Sequence, residues 1–146
     1  MYHLPDVKPG LIMDIKDFLA QIPSVGVEEM DSQHRDYGRL IAKIKEIEDG
    51  GGDIARLKDV LMELEKLTLY HFQCEENLMR EYSFPGYKEH EAKHDNLMTA
   101  LNRYITEIDT PTFNIGEFYR FVCDWVLEHT LELDTELGAF IAERRN

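Results

Sequence analysis

Basic side chains are scarce in this chain, whose 146 residues include 16 lysines and arginines against 29 aspartates and glutamates, for a formal net charge of −13. Proteins that bind nucleic acid need basic patches to neutralise phosphates, so this charge argues against such a partner. The sequence also lacks an apolar run long enough to span a membrane. The opening segment, MYHLPDVKPG, lacks the basic and apolar regions of a signal peptide. We therefore expect a soluble cytoplasmic protein with neither a nucleic-acid nor a membrane partner.

Cysteines are few and β-strand patterns are missing. The 2 cysteines, Cys74 and Cys123, form no CxxC pair, and both lie in helical patterns. We expect them to be reduced, partly buried packing residues rather than a disulfide. Hydrophobic residues make up 43% of the chain, which is enough to fill the single core that a domain of this length builds.

The sequence divides into an arm and four amphipathic stretches. Residues 1–25 contain most of the prolines and so predict an arm, with a short helical turn around Leu11 to Leu19. The four stretches that follow carry apolar residues every three or four positions, which is typical of helices. They run over about 27–49, 53–81, 87–108 and 114–142. Short connections between them predict an all-α fold, an up-down-up-down four-helix bundle spanning 26–146 after the N-terminal arm.

Five of the 6 histidines lie in the apolar stripes of these helices. His71 and Glu75, like His90 and His94, are four residues apart and therefore share one face of a helix. His34 lies alone on the first helix. A polar group on a buried face needs a compensating partner. The simplest partner for five inward histidines and two inward carboxylates is a pair of metal ions.

The donor count suits such a pair. Two six-coordinate ions offer about twelve positions. Five imidazoles, two bridging carboxylates and one bridging hydroxide fill all but one of them, which leaves a place for a small ligand such as O2. Zinc, copper, nickel and iron all accept imidazole, so the pattern alone does not choose the metal.

The residues around the histidines resemble the hemerythrin family over roughly 24–143. The stretches that carry the resemblance are SVGVEEMDSQH, ending at His34, HFQCEENLM, FPGYKEHEAKH, and WVLEHTLELD, ending at Asp134. The resemblance implies two iron ions with a bridging oxo or hydroxo group. It also implies that one iron is bound by three histidines and the other by two, with two carboxylates as bridges. In that arrangement the ligands are His90, His94 and His129 for the first iron, His34 and His71 for the second, and Glu75 and Asp134 for both.

The resemblance implies reversible O2 binding, for storage, delivery or buffering, by a protein that is not an enzyme in the strict sense. Two alternatives stay open. The protein could sense O2 or redox state and signal to a partner that contacts residues 1–25. It could also be a di-iron redox enzyme acting on peroxide, nitric oxide or ferrous iron. We expect a monomer, because no sustained outward apolar seam is visible.

Two residues near the expected O2 pocket depart from the family pattern. Tyr37 and Thr130 stand where the family usually has aliphatic side chains. We expect them to make the pocket more polar and autoxidation faster. The remaining residues expected around the pocket are Phe72, Trp125 and Val126.

One spacing in the predicted site does not suit a regular helix. His129 and Asp134 are five residues apart, which places them about 140° from alignment on an ideal helix. They would have to approach the metals from opposite flanks of the fourth helix, unless the helix widens locally.

Two short motifs suggest other metalloproteins. His90 to His94 fits HExxH, in which Glu91 would be the general base of a zinc peptidase, but this leaves three inward histidines unexplained. Glu91 and His94 also form one ExxH motif, whereas ferritin-like di-iron proteins need two. We expect Glu91 to face solvent and His3, in the arm, to take no part.

Overall fold

The computed structural model describes residues 14–145, and within them the regular structure is helical throughout. Helix α1 spans Ile15–Gln21, α2 spans Glu28–Asp49, α3 spans Ile54–Glu81 and α4 spans Tyr87–Glu107. The fourth long helix of the bundle consists of α5, Ile115–His129, a π-helical turn, Thr130–Asp134, and α6, Thr135–Arg145. The short connections make consecutive long helices antiparallel. The predicted all-α four-helix bundle is confirmed.

Local chemistry sets the helix ends. The Asp53 carboxylate accepts from the backbone N–H groups of Ala55 and Arg56, and the Asn114 side chain accepts from the N–H of Glu117. Such caps satisfy donors that have no partner inside the helix. After α2 the chain turns through Gly51 and Gly52, whose positive φ angles of 106° and 77° favour glycine.

The apolar core has two parts with a polar layer between them. Tyr37, Phe72 and Trp125 belong to the larger cluster, whereas Met30 and Leu137 belong to the smaller one. Along α2, α3 and the fourth long helix, the chain passes from one apolar cluster to the other. The predicted metal-binding residues of those elements lie near this crossing. The fold therefore surrounds a buried polar layer with apolar side chains at both ends.

The N-terminal segment docks on the bundle. Helix α1 packs on α2 at Gly38, where a Cβ atom would lie 2.7 Å from Leu19 Cδ2. Further along, the backbone of Val25 crosses α6 against Gly138, where a Cβ would clash with it. Within the helical turn expected around Leu11 to Leu19, residues 15–19 are helical and Asp14 is the N-cap; residues 11–13, like His3, lie outside the described residues.

No helix within residues 14–145 combines the length and the apolar character that crossing a membrane requires.

Candidate metal centre

The structure brings all seven predicted site residues into one buried cluster. None of them is more than 6% exposed to solvent. Four helical elements supply them: α2, α3, α4 and the fourth long helix with its π turn. The members are His34, His71, Glu75, His90, His94, His129 and Asp134.

Glu75 lies between two groups of histidines. Its Oε1 atom is 3.1 Å from His90 Nε2 and 3.0 Å from His94 Nε2. Its Oε2 atom is 3.2 Å from His71 Nε2 on the other side. One carboxylate thus presents one oxygen to each group, which is the arrangement of a bridging ligand.

Asp134, on the fourth long helix, likewise presents one oxygen to each group of histidines. Its Oδ2 atom is 2.8 Å from His34 Nε2 and 3.5 Å from His71 Nε2. Its Oδ1 atom is 3.1 Å from both His90 Nε2 and His129 Nε2. The cluster therefore contains a group of three histidines and a group of two, with both carboxylates between them. Two overlapping sets of donor atoms could each hold an ion, and Glu75 belongs to both sets.

The donor spacing suits metal ions better than it suits ordinary hydrogen bonds. His129 Nε2 lies 3.1 Å from His94 Nε2 and 3.2 Å from His90 Nε2. Ligands at right angles around an ion with bonds of about 2.1 Å are about 3.0 Å apart. Glu75 Oε2 and Asp134 Oδ1 are buried and accept no hydrogen bond from the described residues, although imidazole nitrogens lie within 3.2 Å. The donors thus converge on common points, and the residues fit a pair of cations.

Burial dominates the electrostatics of the cluster when no cation is bound. It raises the pKa of Glu75 well above its usual range, and the neighbouring Asp134 carboxylate adds to that rise. Burial lowers the pKa of His71 to about 4. For His129, burial is outweighed by Asp134 and Glu75, which raise its pKa to about 9. His129 therefore holds a proton at neutral pH, and a bound cation would displace it.

The π turn explains the spacing of His129 and Asp134. In this turn the backbone N–H of Thr135 donates to the carbonyl of Thr130, five residues earlier. The wider turn brings His129 Nε2 within 3.1 Å of Asp134 Oδ1, although five residues separate the two. Of the two arrangements that the sequence left open, the structure has the local widening. Such π turns frequently occur at functional sites.

We expect removal of Leu131 to convert the π turn into a regular α-helix and to leave the cluster in place. Leu131 lies in the π turn and its side chain is 49% exposed, so its own contacts contribute little. Losing one residue would leave His129 and Asp134 four positions apart, which is the spacing that places two side chains on one face of a regular α-helix. Metal analysis should show that bound metal is retained, and circular dichroism should show retained helix.

The substitution Leu131→Ala, which keeps the chain length, is the matched control and should bind metal normally. Loss of the bound metal from the shortened chain would show that the cluster needs the wider turn itself.

Two contacts behind the histidines were not predicted from the sequence. Gln33 Oε1 accepts from His71 Nδ1 at 2.6 Å, and Glu76 Oε2 accepts from His94 Nδ1 at 2.9 Å. Contacts of this kind orient imidazole ligands. Each residue adjoins a predicted site residue in sequence, and neighbours on a helix point about 100° apart. The apolar stripes therefore held no signal for them.

The residues expected around the O2 pocket are all buried. The Phe72 ring stacks on His94 with 3.8 Å between ring centroids. The Tyr37 ring meets His71 edge-on at 5.4 Å. Its hydroxyl donates to Thr68 Oγ1 at 3.0 Å, so this phenol already has a partner inside the protein. Trp125 packs against Tyr37, and Val126 and Thr130 lie close to His129 in sequence.

Glu91, the base required by a zinc peptidase, lies outside the cluster. We expected it to face solvent, but it is half-buried because Tyr87 packs beside it and donates to its carboxylate at 2.9 Å. His90 and His94 instead face Glu75, which the HExxH motif does not contain. The expectation for the cysteines is met, since Cys74 and Cys123 are free and partly buried.

Comparisons with known proteins agree with this geometry. Residues 25–141 match the family model described as the hemerythrin HHE cation-binding domain. The bacteriohemerythrin of Clostridium acetobutylicum is 27% identical over 77% of this chain and 91% of its own length. The myohemerythrin of Riftia pachyptila is 27% identical over 75% of this chain and 81% of its own length.

A solved crystal structure of a hemerythrin mutant shares the fold. It aligns with a TM-score of 0.77 over 84% of this chain and 94% of the other, at 22% identity. Because the family model covers most of the sequence and the curated relatives align along most of their length, the chain belongs to the hemerythrin family.

Proposed function

We propose that this protein binds O2 reversibly at a pair of iron ions held by the seven clustered residues. The observation that carries the proposal is the unequal division of the histidines around two shared carboxylates. One group offers three imidazoles and the other offers two. If both ions have the same coordination number, the ion beside His34 and His71 keeps one position open.

The iron pair would supply the open position and the electrons that O2 takes up on binding. The chain supplies the surroundings. Glu75 and Asp134 would hold both ions, and their negative charges would offset the cationic charge inside the bundle. Phe72 covers His94 with apolar surface, and Trp125 packs behind Tyr37 and Phe72, so these rings keep bulk water away. Gln33 accepts from His71 and so would orient that imidazole toward the second ion.

The decisive experiment is a cycle of oxygenation and deoxygenation. Protein loaded with ferrous iron under anaerobic conditions should contain about two irons per chain. Added O2 should produce charge-transfer bands in the visible spectrum, and removal of O2 should abolish them over repeated cycles. Irreversible conversion to the ferric form in the first cycle would refute a carrier role and favour redox chemistry. A purified protein that holds zinc and excludes iron would refute the proposal outright.

The sensing alternative has one structural observation in its favour. The N-terminal segment contacts α2 at Gly38, one turn after His34, and contacts α6 at Gly138, one turn after Asp134. A change in the cluster could therefore reach the arm through either helix. Capture of a partner only in the oxygenated state, and only with residues 1–25 present, would establish sensing. The monomeric state and the cytoplasmic location stay predictions, and sedimentation of the iron-loaded protein tests the first.

We expect Thr130→Ile to slow autoxidation severalfold. Thr130 is 2% exposed and follows His129 directly, so its hydroxyl is a buried group that can pass on a proton close to the cluster. Protonation of bound, reduced O2 promotes its release and leaves ferric iron behind. The rate is measured as the decay of the oxygenated spectrum in air.

Two further variants separate the hydroxyl from side-chain size. Thr130→Val removes the hydroxyl at similar volume and should also slow the decay, whereas Thr130→Ser keeps the hydroxyl and should not. Equal rates in all four proteins would show that Thr130 does not carry the proton.

A further inference from the structure

Trp125 joins the metal cluster to a second group of aromatic rings. On the cluster side, its ring centroid lies 5.5 Å from that of Tyr37 and 6.2 Å from that of Phe72. Tyr37 meets His71 and Phe72 stacks on His94, so Trp125 is one ring away from histidines of both groups. Trp125 is 2% exposed and has no direct contact with solvent that a substrate could use.

On the other side, the ring contacts continue to the protein surface. Trp125 packs against Phe121 with 5.9 Å between centroids, and Phe121 packs against Tyr104 with 4.8 Å. Tyr104 lies on α4 and is half-buried, so part of its ring reaches solvent. A row of three rings thus runs from Trp125, one ring away from the histidines, to the protein surface. Both of its ends are among the side chains most easily oxidised by one electron.

We propose that the row Trp125–Phe121–Tyr104 conducts electrons, so that the metal-loaded protein oxidises small one-electron donors at Tyr104 with hydrogen peroxide as the oxidant. This activity rests on the two-iron site of the proposed function but is distinct from O2 binding. Hydrogen peroxide takes two electrons and two protons, its O–O bond breaks, and two waters leave. The electrons come one at a time from two donor molecules, such as phenols, and the protons come from solvent.

The surroundings of the two tyrosines decide the route. Oxidised tyrosine must lose its phenolic proton, and the buried hydroxyl of Tyr37 donates to Thr68 Oγ1. A hydroxyl oxygen is too weak a base to take up that proton, so Tyr37 is a poor place for the radical to settle. Trp125 can lose an electron without losing a proton at once. Tyr104 can release its proton to solvent, so the radical forms there and takes an electron from a donor molecule.

The test follows the radical and the donor separately. Iron-loaded protein is mixed with hydrogen peroxide, frozen within milliseconds and examined by electron paramagnetic resonance. We expect a tyrosine radical that falls to background in Tyr104→Phe and Trp125→Phe. Peroxide-dependent oxidation of the dye ABTS should fall severalfold in the same two variants. Peptide mass spectrometry of the wild-type protein should find the oxidative modification on Tyr104.

The matched control is Tyr87→Phe, which removes a half-buried phenol from the same helix but outside the row. It should leave the radical and the dye oxidation unchanged. Tyr104→Phe touches no residue of the cluster, so its O2-binding spectra should match the wild type, and it remains decisive even if Trp125→Phe loses iron. Absence of a tyrosine radical, or a radical and dye oxidation unchanged in Tyr104→Phe, would overturn the proposal. Failure of O2 cycling in the wild type would instead count against the proposed function.

Discussion

Replacing Glu75 with glutamine is expected to remove both metal ions at once. Glu75 is fully buried, and its two oxygens face different histidine groups, at 3.0 Å from His94 and 3.2 Å from His71. Glutamine keeps the shape but offers one neutral oxygen and turns an NH2 group toward the other ion. Bound iron should fall from about two ions per chain to near zero, since hard cations select charged oxygen ligands and an inward donor repels them.

The neighbouring substitution Glu76→Gln is the matched control. Glu76 lies behind His94 and keeps a hydrogen-bond acceptor as glutamine, so we expect weaker affinity but full occupancy at saturating iron. His34→Leu provides a second comparison, because His34 faces only one of the two donor sets and its loss should remove about one ion. Iron analysis by mass spectrometry measures all three. A Glu75→Gln protein that keeps two irons would disprove the bridging role.

Removing the metal is expected to lower the melting temperature by about 10 °C. Without cations, five imidazoles and two carboxylates remain buried, and hydrogen bonds such as the one between His34 and Asp134 offset only part of their desolvation. Metal bound at about a thousandfold above its dissociation constant adds about 4 kcal/mol to the free energy of unfolding. In a domain of this size each kcal/mol shifts the melting temperature by about 2–4 °C.

Calorimetry of the iron-loaded, chelator-treated and re-loaded protein measures this shift. Recovery of the original melting temperature on re-loading shows that the chelator did no other damage. The Glu75→Gln protein should melt at one temperature whether or not iron is added, because it has no site left to fill. An identical melting temperature for the loaded and chelated wild type would show that the fold does not depend on the metal.

Most of the bundle could be predicted from local patterns. The spacing of apolar residues indicated the four long helices, and Asp53 and Asn114 marked the starts of two of them. The same spacing placed His71 with Glu75, and His90 with His94, on inward faces. A helix repeats its geometry every few residues, so each of these conclusions needs only a short stretch of sequence.

The arrangement between helices could not be obtained in this way. The sequence left open how His129 and Asp134 reach one site, and the π turn settles it through a single widened backbone contact at Thr130. Gln33 and Glu76 point off their own helices' apolar stripes, so their contacts with His71 and His94 depend on how the helices are rotated against each other.

By itself the sequence determined the helices, the inward histidines and carboxylates, and through them the family. The tertiary structure alone decided that Glu75 and Asp134 each present one oxygen to each histidine group, and that aromatic rings connect Trp125 to Tyr104 at the surface. The physical reason is range. The periodicity of one helix depends only on residues that are close together in the sequence. Distances of a few ångströms between helices depend on the packing of the whole core.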